Sequence, residues 1–209
     1  MRVMSGKSAL CALIPALFIF VLPAAGLGNE DLVRAKIGIQ IRSGDTILRA
    51  KSRDRLKKGD YLRIYVHPEF SSHVYVVHSD QETATLLNTV RQGLQSSTLV
   101  MPSLQQYYQV DGESSRETFT IVCSSGELEE IPRLFKDGRI PQPEWAALEE
   151  DLEERGKIEL GSDTEKPFAL AGNVRGVGND ALGDAFFDRL RVSSGKSIIV
   201  KKFVFQVVR

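Results

Sequence analysis

A period of two in the apolar residues constrains this chain more than any other feature. In "KIGIQIR", Ile37, Ile39 and Ile41 stand between Lys36, Gly38, Gln40 and Arg42. Such alternation buries one face of an extended strand, whereas a helix needs apolar residues three and four apart. The pattern recurs in "YLRIYV", where Leu62, Ile64 and Val66 share one face and Tyr61, Arg63 and Tyr65 the other, and in "HVYVV", where Val74 and Val76 alternate with Tyr75 and Val77. "SIIVKKFVFQVVR" ends the sequence with Ile199, Phe203, Phe205 and Val207 set between Val200, Lys202, Val204, Gln206 and Val208. "TILRA" after the "SGD" turn, residues 98–101 and residues 118–122 read as further strands, with Gly93, Pro102, Asp111, Gly112 and Ser114 marking connections.

Helical signals are confined to the C-terminal third. "IPQPEWAALEEDLEERGK" puts Pro143 and Glu144 at a helix start, Trp145, Leu148 and Leu152 on one face, and Gly156 at the stop. Glu149, Glu150, Asp151, Glu153 and Glu154 make an acidic face that reads as solvated rather than catalytic. A weaker helix near 181–191 would use Ala185, Phe186, Leu190 and Val192. The fold expected is mainly β: an antiparallel β-sandwich or open barrel of roughly seven to nine strands with one or two peripheral helices, an α+β texture in the last third. The closing strand, 197–208, is expected to pair with the strand at 37–41 or that at 61–66, making residues 29–209 one domain with a helical insertion at about 141–191.

Residues 1–28 have the order of a secretory signal: Arg2 and Lys7, an apolar run from Ala9 to Leu22, then Pro23, Ala24, Ala25 and Gly26. Export to a periplasmic or extracellular location follows, with cleavage after Gly26 or Gly28; retention of the segment as an anchor is the alternative, and the only membrane contact expected. Its removal takes two bases and no acid from a chain of 27 bases and 27 acids, so the mature protein is nearly neutral. No long basic footprint for nucleic acid exists, and Lys51, Arg53, Arg55, Lys57 and Lys58 read as a solvated approach to a strand. With Cys11 in the signal, Cys123 has no partner for an internal disulfide and reads as a small buried residue.

All three histidines fall within twelve positions of "KKGDYLRIYVHPEFSSHVYVVHSD", which reads as a hairpin with histidines at its ends. His67 and His73 flank the loop, but His78 is roughly 16 Å beyond His73 along an extended strand, too far for three-histidine zinc coordination. "AGNVRGVGND" lacks the lysine and hydroxyl residue that close a phosphate-binding loop. No cofactor or metal is expected, and no nucleophile, base and orienting group assemble in the sequence. The alternative is a hydrolytic or metal-dependent enzyme using His67 and His73 with Asp80 or Glu69.

The succession "KKGDYLRIYV", "SSHVYVVHSD", "TATLLNT" and "LVMPSLQQYYQVDGESSRETFTIVCSS" resembles the family called domain of unknown function 4384, found in bacterial exported and envelope proteins. The matching positions are Gly59, Asp60, Tyr75, Leu86, Leu87, Asn88, Pro102, Gly112 and Ser124, over a core of about 57–126; "LLNT" lacks the family's usual proline and "GESSRETF" its usual spacing. The resemblance implies a β-rich accessory domain without established catalytic residues. The expected function is a non-enzymatic envelope module binding another envelope protein or a glycan. Tyr61, Tyr65 and Tyr75 are its candidate contact surface, placed together on the sheet face opposite Leu62, Ile64 and Val74; packing beneath the C-terminal helices is the competing position for them.

Overall fold

The structure, a computed structural model, describes residues 32–88, 94–95, 97–160, 186 and 190–208. The signal segment, most of the 181–191 helix and the "AGNVRGVGND" loop lie outside the described residues. In chain order the strands are β1 (Val33–Ser43), β2 (Thr46–Arg49), β3 (Arg55–Lys57), β4 (Tyr61–Pro68), β5 (Ser72–Ser79), β6 (Thr83–Leu86), β7 (Leu94–Gln95), β8 (Leu99–Met101), β9 (Tyr108–Gln109) and β10 (Arg116–Ser124). Helix α1 (Glu130–Leu134), β11 (Arg139–Pro141), helix α2 (Gln142–Leu160), β12 (Arg191–Gly195) and β13 (Ile198–Val208) follow.

The molecule is mainly β, with two sheets that do not close into a barrel. The first runs β12-β1-β4-β8, with β2 also on β1 and β9 on β4; the second runs β11-β6-β5-β10-β13-β3, with β7 on β5. Every pairing is antiparallel except that of β13 with β3. The two sheets press their alternating apolar faces together. Ile37, Ile39, Ile41, Leu62, Ile64 and Val66 from the first meet Val74, Val76, Phe119, Ile121, Cys123, Phe203 and Phe205 from the second. Each such side chain contributes about 1.5–3 kcal/mol of burial. The thirteen described strands exceed the seven to nine expected because seven are two to four residues long, too short to show a period.

Two expectations about pairing are corrected. The stretch 57–80 is not a hairpin, because β4 pairs with β1, β8 and β9 while β5 pairs with β10, β6 and β7. Pro68 ends β4 without a tight turn, and residues 69–71 carry the chain from one sheet to the other. Nor does β13 pair with β1 or β4. It lies between β10 and β3, with Phe119 opposite Phe203 and Val207 opposite Leu56.

Local chemistry explains two of the sequence motifs. In "KKGD", Gly59 has φ +91°, a left-handed conformation that favours glycine, and the Lys57 amide donates to the Asp60 carboxylate at 2.8 Å. In "LLNT", buried Asn88 acts as a strand partner for β5: its Nδ2 donates to the Val74 carbonyl at 2.6 Å, and its Oδ1 accepts from the Val76 amide at 2.7 Å. Both bonds satisfy backbone groups inside the sandwich.

Helix α2 forms a third layer on the outer face of the second sheet. Trp145, Leu148 and Leu152 join Ile131 and Phe135 against Tyr75, Val77, Val122 and Ile198. The helix runs through Gly156 to Leu160 rather than stopping there, since Gly156 does not take the positive φ by which a glycine ends a helix. Its acidic side is not wholly solvated. Glu149 is buried, accepts from the Thr120 hydroxyl and pairs with Lys202 Nζ, which also lies 3.4 Å from Glu153.

Candidate functional site

The outer face of the first sheet carries the most unusual group of side chains. Strand alternation turns Arg34, Lys36, Gly38, Gln40 and Arg42 of β1 away from the core, beside Tyr61, Arg63, Tyr65 and His67 of β4. At the Lys36 end, Arg34 pairs with Glu69 at 3.3 Å. Over the middle, Phe186 packs on Tyr65 with ring centres 5.0 Å apart, and Leu190 lies on Gly38 so closely that a Cβ would be 2.3 Å from Leu190 Cδ2. A larger residue at position 38 would require the Leu190 side chain to shift.

At the other end the face becomes an arginine and tyrosine cluster. The Arg63 guanidinium carbon stands 3.8 Å from the centre of the Tyr107 ring, and that of Arg42 stands 4.4 Å from Tyr107 and 4.5 Å from Tyr61. Arg63 Nε donates to the Gln106 carbonyl at 3.1 Å and Nη1 to the Tyr65 hydroxyl at 3.3 Å. The Tyr65 and Tyr107 hydroxyls both donate to Gln40 Oε1, at 3.3 and 3.5 Å. Arg63 is only 6% exposed, yet among the described residues no carboxylate lies within ion-pair distance of it or of Arg42. Since both guanidiniums lie on one ring, their charges are no more than about 8 Å apart and repel by about 2 kcal/mol at an effective dielectric of 20. Contact with tyrosine faces offsets part of this.

The three tyrosines of the expected contact surface do not share a face. Tyr61 is half-buried in the cluster and Tyr65 lies beneath Phe186, while Tyr75 belongs to the second sheet, packed among the α1 and α2 residues with its hydroxyl accepting from the Leu128 amide at 3.0 Å. Burial raises the Tyr75 phenol above its ordinary value, partly offset by that hydrogen bond. The split follows from β4 and β5 lying in different sheets. Gln40 and Tyr107 complete the cluster without having been singled out. Gln40, Arg42 and Arg63 were legible as outward residues, but Tyr107 comes from the irregular segment before β9, where no period places it.

The histidines are equally dispersed. His67 is on the outer face of the first sheet, its Nδ1 3.0 Å from Thr98 Oγ1, and burial and Lys36 hold its pKa below the usual histidine value against the opposing charge of Glu69. His73, level with Ser124, shares the outer side of β5 with Tyr75. His78 turns inward at one end of the sandwich, hydrogen-bonded through Nε2 to Glu117 and packed against the Phe119 ring at a tilt. A cleft of about 130 Å³ opens there, lined also by Leu62, Leu87, Tyr108 and Asp111. Among the described residues no three potential metal ligands converge. Burial pushes the Cys123 thiol up to about 12, so it is an un-ionised core group.

Among the described residues no helix is long and apolar enough to cross a membrane. Comparison with family models, curated proteins and solved structures gives no match to this chain.

Proposed function

We propose that the protein is a non-enzymatic, exported binding module, and that the Arg42, Tyr61, Arg63 and Tyr107 end of the first sheet is its contact surface for an acidic partner. The carrying observation is the pair of arginines held on tyrosine rings without a described carboxylate. Charge complementarity selects a partner that is acidic where it touches. Arginine and tyrosine are also the residue types that most often dominate binding energy. The signal-like residues 1–28 and the resemblance to domain of unknown function 4384 supply the exported, envelope setting of the proposal. The His78 and Glu117 pair could orient and move a proton, but no serine, threonine or cysteine is among the described residues lining that cleft.

The test is retention of the chain on native envelope material at low and high ionic strength. Arg42→Gln and Tyr61→Ala should each lower retention at least tenfold with an unchanged melting temperature, and salt near 0.5 M should lower it for the unaltered chain. Full retention by both variants would remove this face from the function.

A further inference from the structure

Resting on that reading, we infer that Arg42 and Arg63 form a seat for a single oxyanion, a carboxylate or phosphate group carried by the ligand. Arg63 is fixed before any ligand arrives. Its Nε and Nη1 are committed to the Gln106 carbonyl and the Tyr65 hydroxyl, and its plane lies on Tyr107. A guanidinium has five N–H donors in a rigid fork, so donors remain beyond those two bonds. These are not sealed in: the side-chain nitrogen buried without a partner among the described residues is Trp145 Nε1, not one of Arg63. Arg42 approaches the same Tyr107 ring and is half-buried, so the two guanidiniums share one aromatic neighbour.

Exposed bases such as Arg53 and Arg55 also have no carboxylate partner among the described residues, so what sets Arg42 and Arg63 apart is their contact with aromatic rings. Arg34, Arg133, Arg155 and Lys202 each have a carboxylate within 3.3 Å, at distances usual for structural ion pairs. Arg42 and Arg63 instead stack on aromatic rings and keep their donor edges uncommitted to any described acid. Guanidinium forks match the oxygens of a carboxylate or phosphate, and an anion reached by both would relieve the repulsion between them. Tyr65 and Tyr107, held by Gln40, wall the seat and fix its position.

The experiment titrates the full chain at low ionic strength with inorganic phosphate and, separately, with glucuronate, using glucose as the neutral control. The signal followed is the Nε–H of Arg63 in ¹H–¹⁵N spectra, with the backbone amides of residues 40–42 and 106–108. A saturable shift with either anion and none with glucose is expected; the anion that binds identifies whether phosphate or carboxylate is the source. Arg42→Gln should weaken binding at least tenfold at unchanged melting temperature, while Arg53→Gln, at an exposed arginine elsewhere, should leave it unchanged. Non-saturating shifts, or shifts indifferent to Arg42→Gln, would overturn the seat. If no anion binds but Arg42→Gln still loses envelope retention, the contact surface stands and the oxyanion seat falls. If retention is also unchanged, both fall.

Discussion

Lys202 shows how a single residue ties the helical layer to the sheet. Burial by itself would lower the ammonium's pKa, but the hydrogen bond and charge of Glu149, with Glu153, outweigh it and hold the group above the ordinary lysine value. A base whose folded pKa is raised stabilises the fold fully below the unfolded value of 10.5, and that contribution is lost as pH climbs through the higher folded value. Denaturation midpoints should therefore fall at strongly alkaline pH, and Glu149→Gln should flatten that fall. Glu149→Ala should cost about 1–3 kcal/mol at neutral pH, since it leaves the Thr120 hydroxyl and Lys202 without their shared acceptor. Equal alkaline slopes in the unaltered and Glu149→Gln chains, measured by urea denaturation, would show that the pair contributes nothing. The acidic stretch could not reveal this pairing. Glu149 lies one residue after Leu148 and four after Trp145, on the buried edge of the helix, and only the position of Lys202 makes that location tolerable.

Helix α2 was legible because Trp145, Leu148 and Leu152 repeat at helical spacing over two turns, and β1, β4, β5, β10 and β13 because each is eight or more residues long and leaves room for a run of period two. What the alternation left open was partnership. Period two gives the face of a strand but not its neighbour, so β4 and β5 looked like one hairpin and Tyr65 and Tyr75 like one surface. The arginine and tyrosine cluster was half legible for the same reason: β1 and β4 announce their outward residues, but the approach of Tyr107 depends on the path of a segment with no period. At this scale Trp145 is the testable anchor. It is fully buried, packs 5.5 Å from Phe135 between ring centres, and its Nε1 has no described partner. Trp145→Ala should destabilise the protein by about 3–5 kcal/mol. Trp145→Phe should cost distinctly less, because it retains most of the ring volume and removes a buried, unsatisfied donor. Thermal or denaturant midpoints that ranked the two variants alike would mean that the helix is not docked through this ring. Trp145 is also the only tryptophan, so its emission should move to the red together with loss of β-sheet signal if layer and sandwich unfold as one.

Cooperation across the whole molecule depends most on β13. It lies inside the second sheet, pairs along nine residues with β10, and holds β3 through Gln206, Val207 and Val208. Its inward side places Phe203 and Phe205 against Phe119 in the inter-sheet core, while its outward side carries Lys202 to Glu149 and Val200 to the α2 layer. All three layers therefore meet on one strand. Burying Phe203, Phe205 and Val207 is worth about 1.5–3 kcal/mol each, against a net stability of about 5–15 kcal/mol for a domain. Deleting residues 201–209 would also strip the paired edge from much of β10 and detach β3, exposing backbone groups and apolar surface that favour association. The truncated chain should accumulate as aggregate or be degraded, and whatever is recovered should lack a cooperative unfolding transition by circular dichroism. A soluble, monomeric truncation with a sharp transition would show that the sandwich closes without β13. "FVFQVV" would then be a strand available for addition to a partner's sheet rather than the strand on which the layers depend.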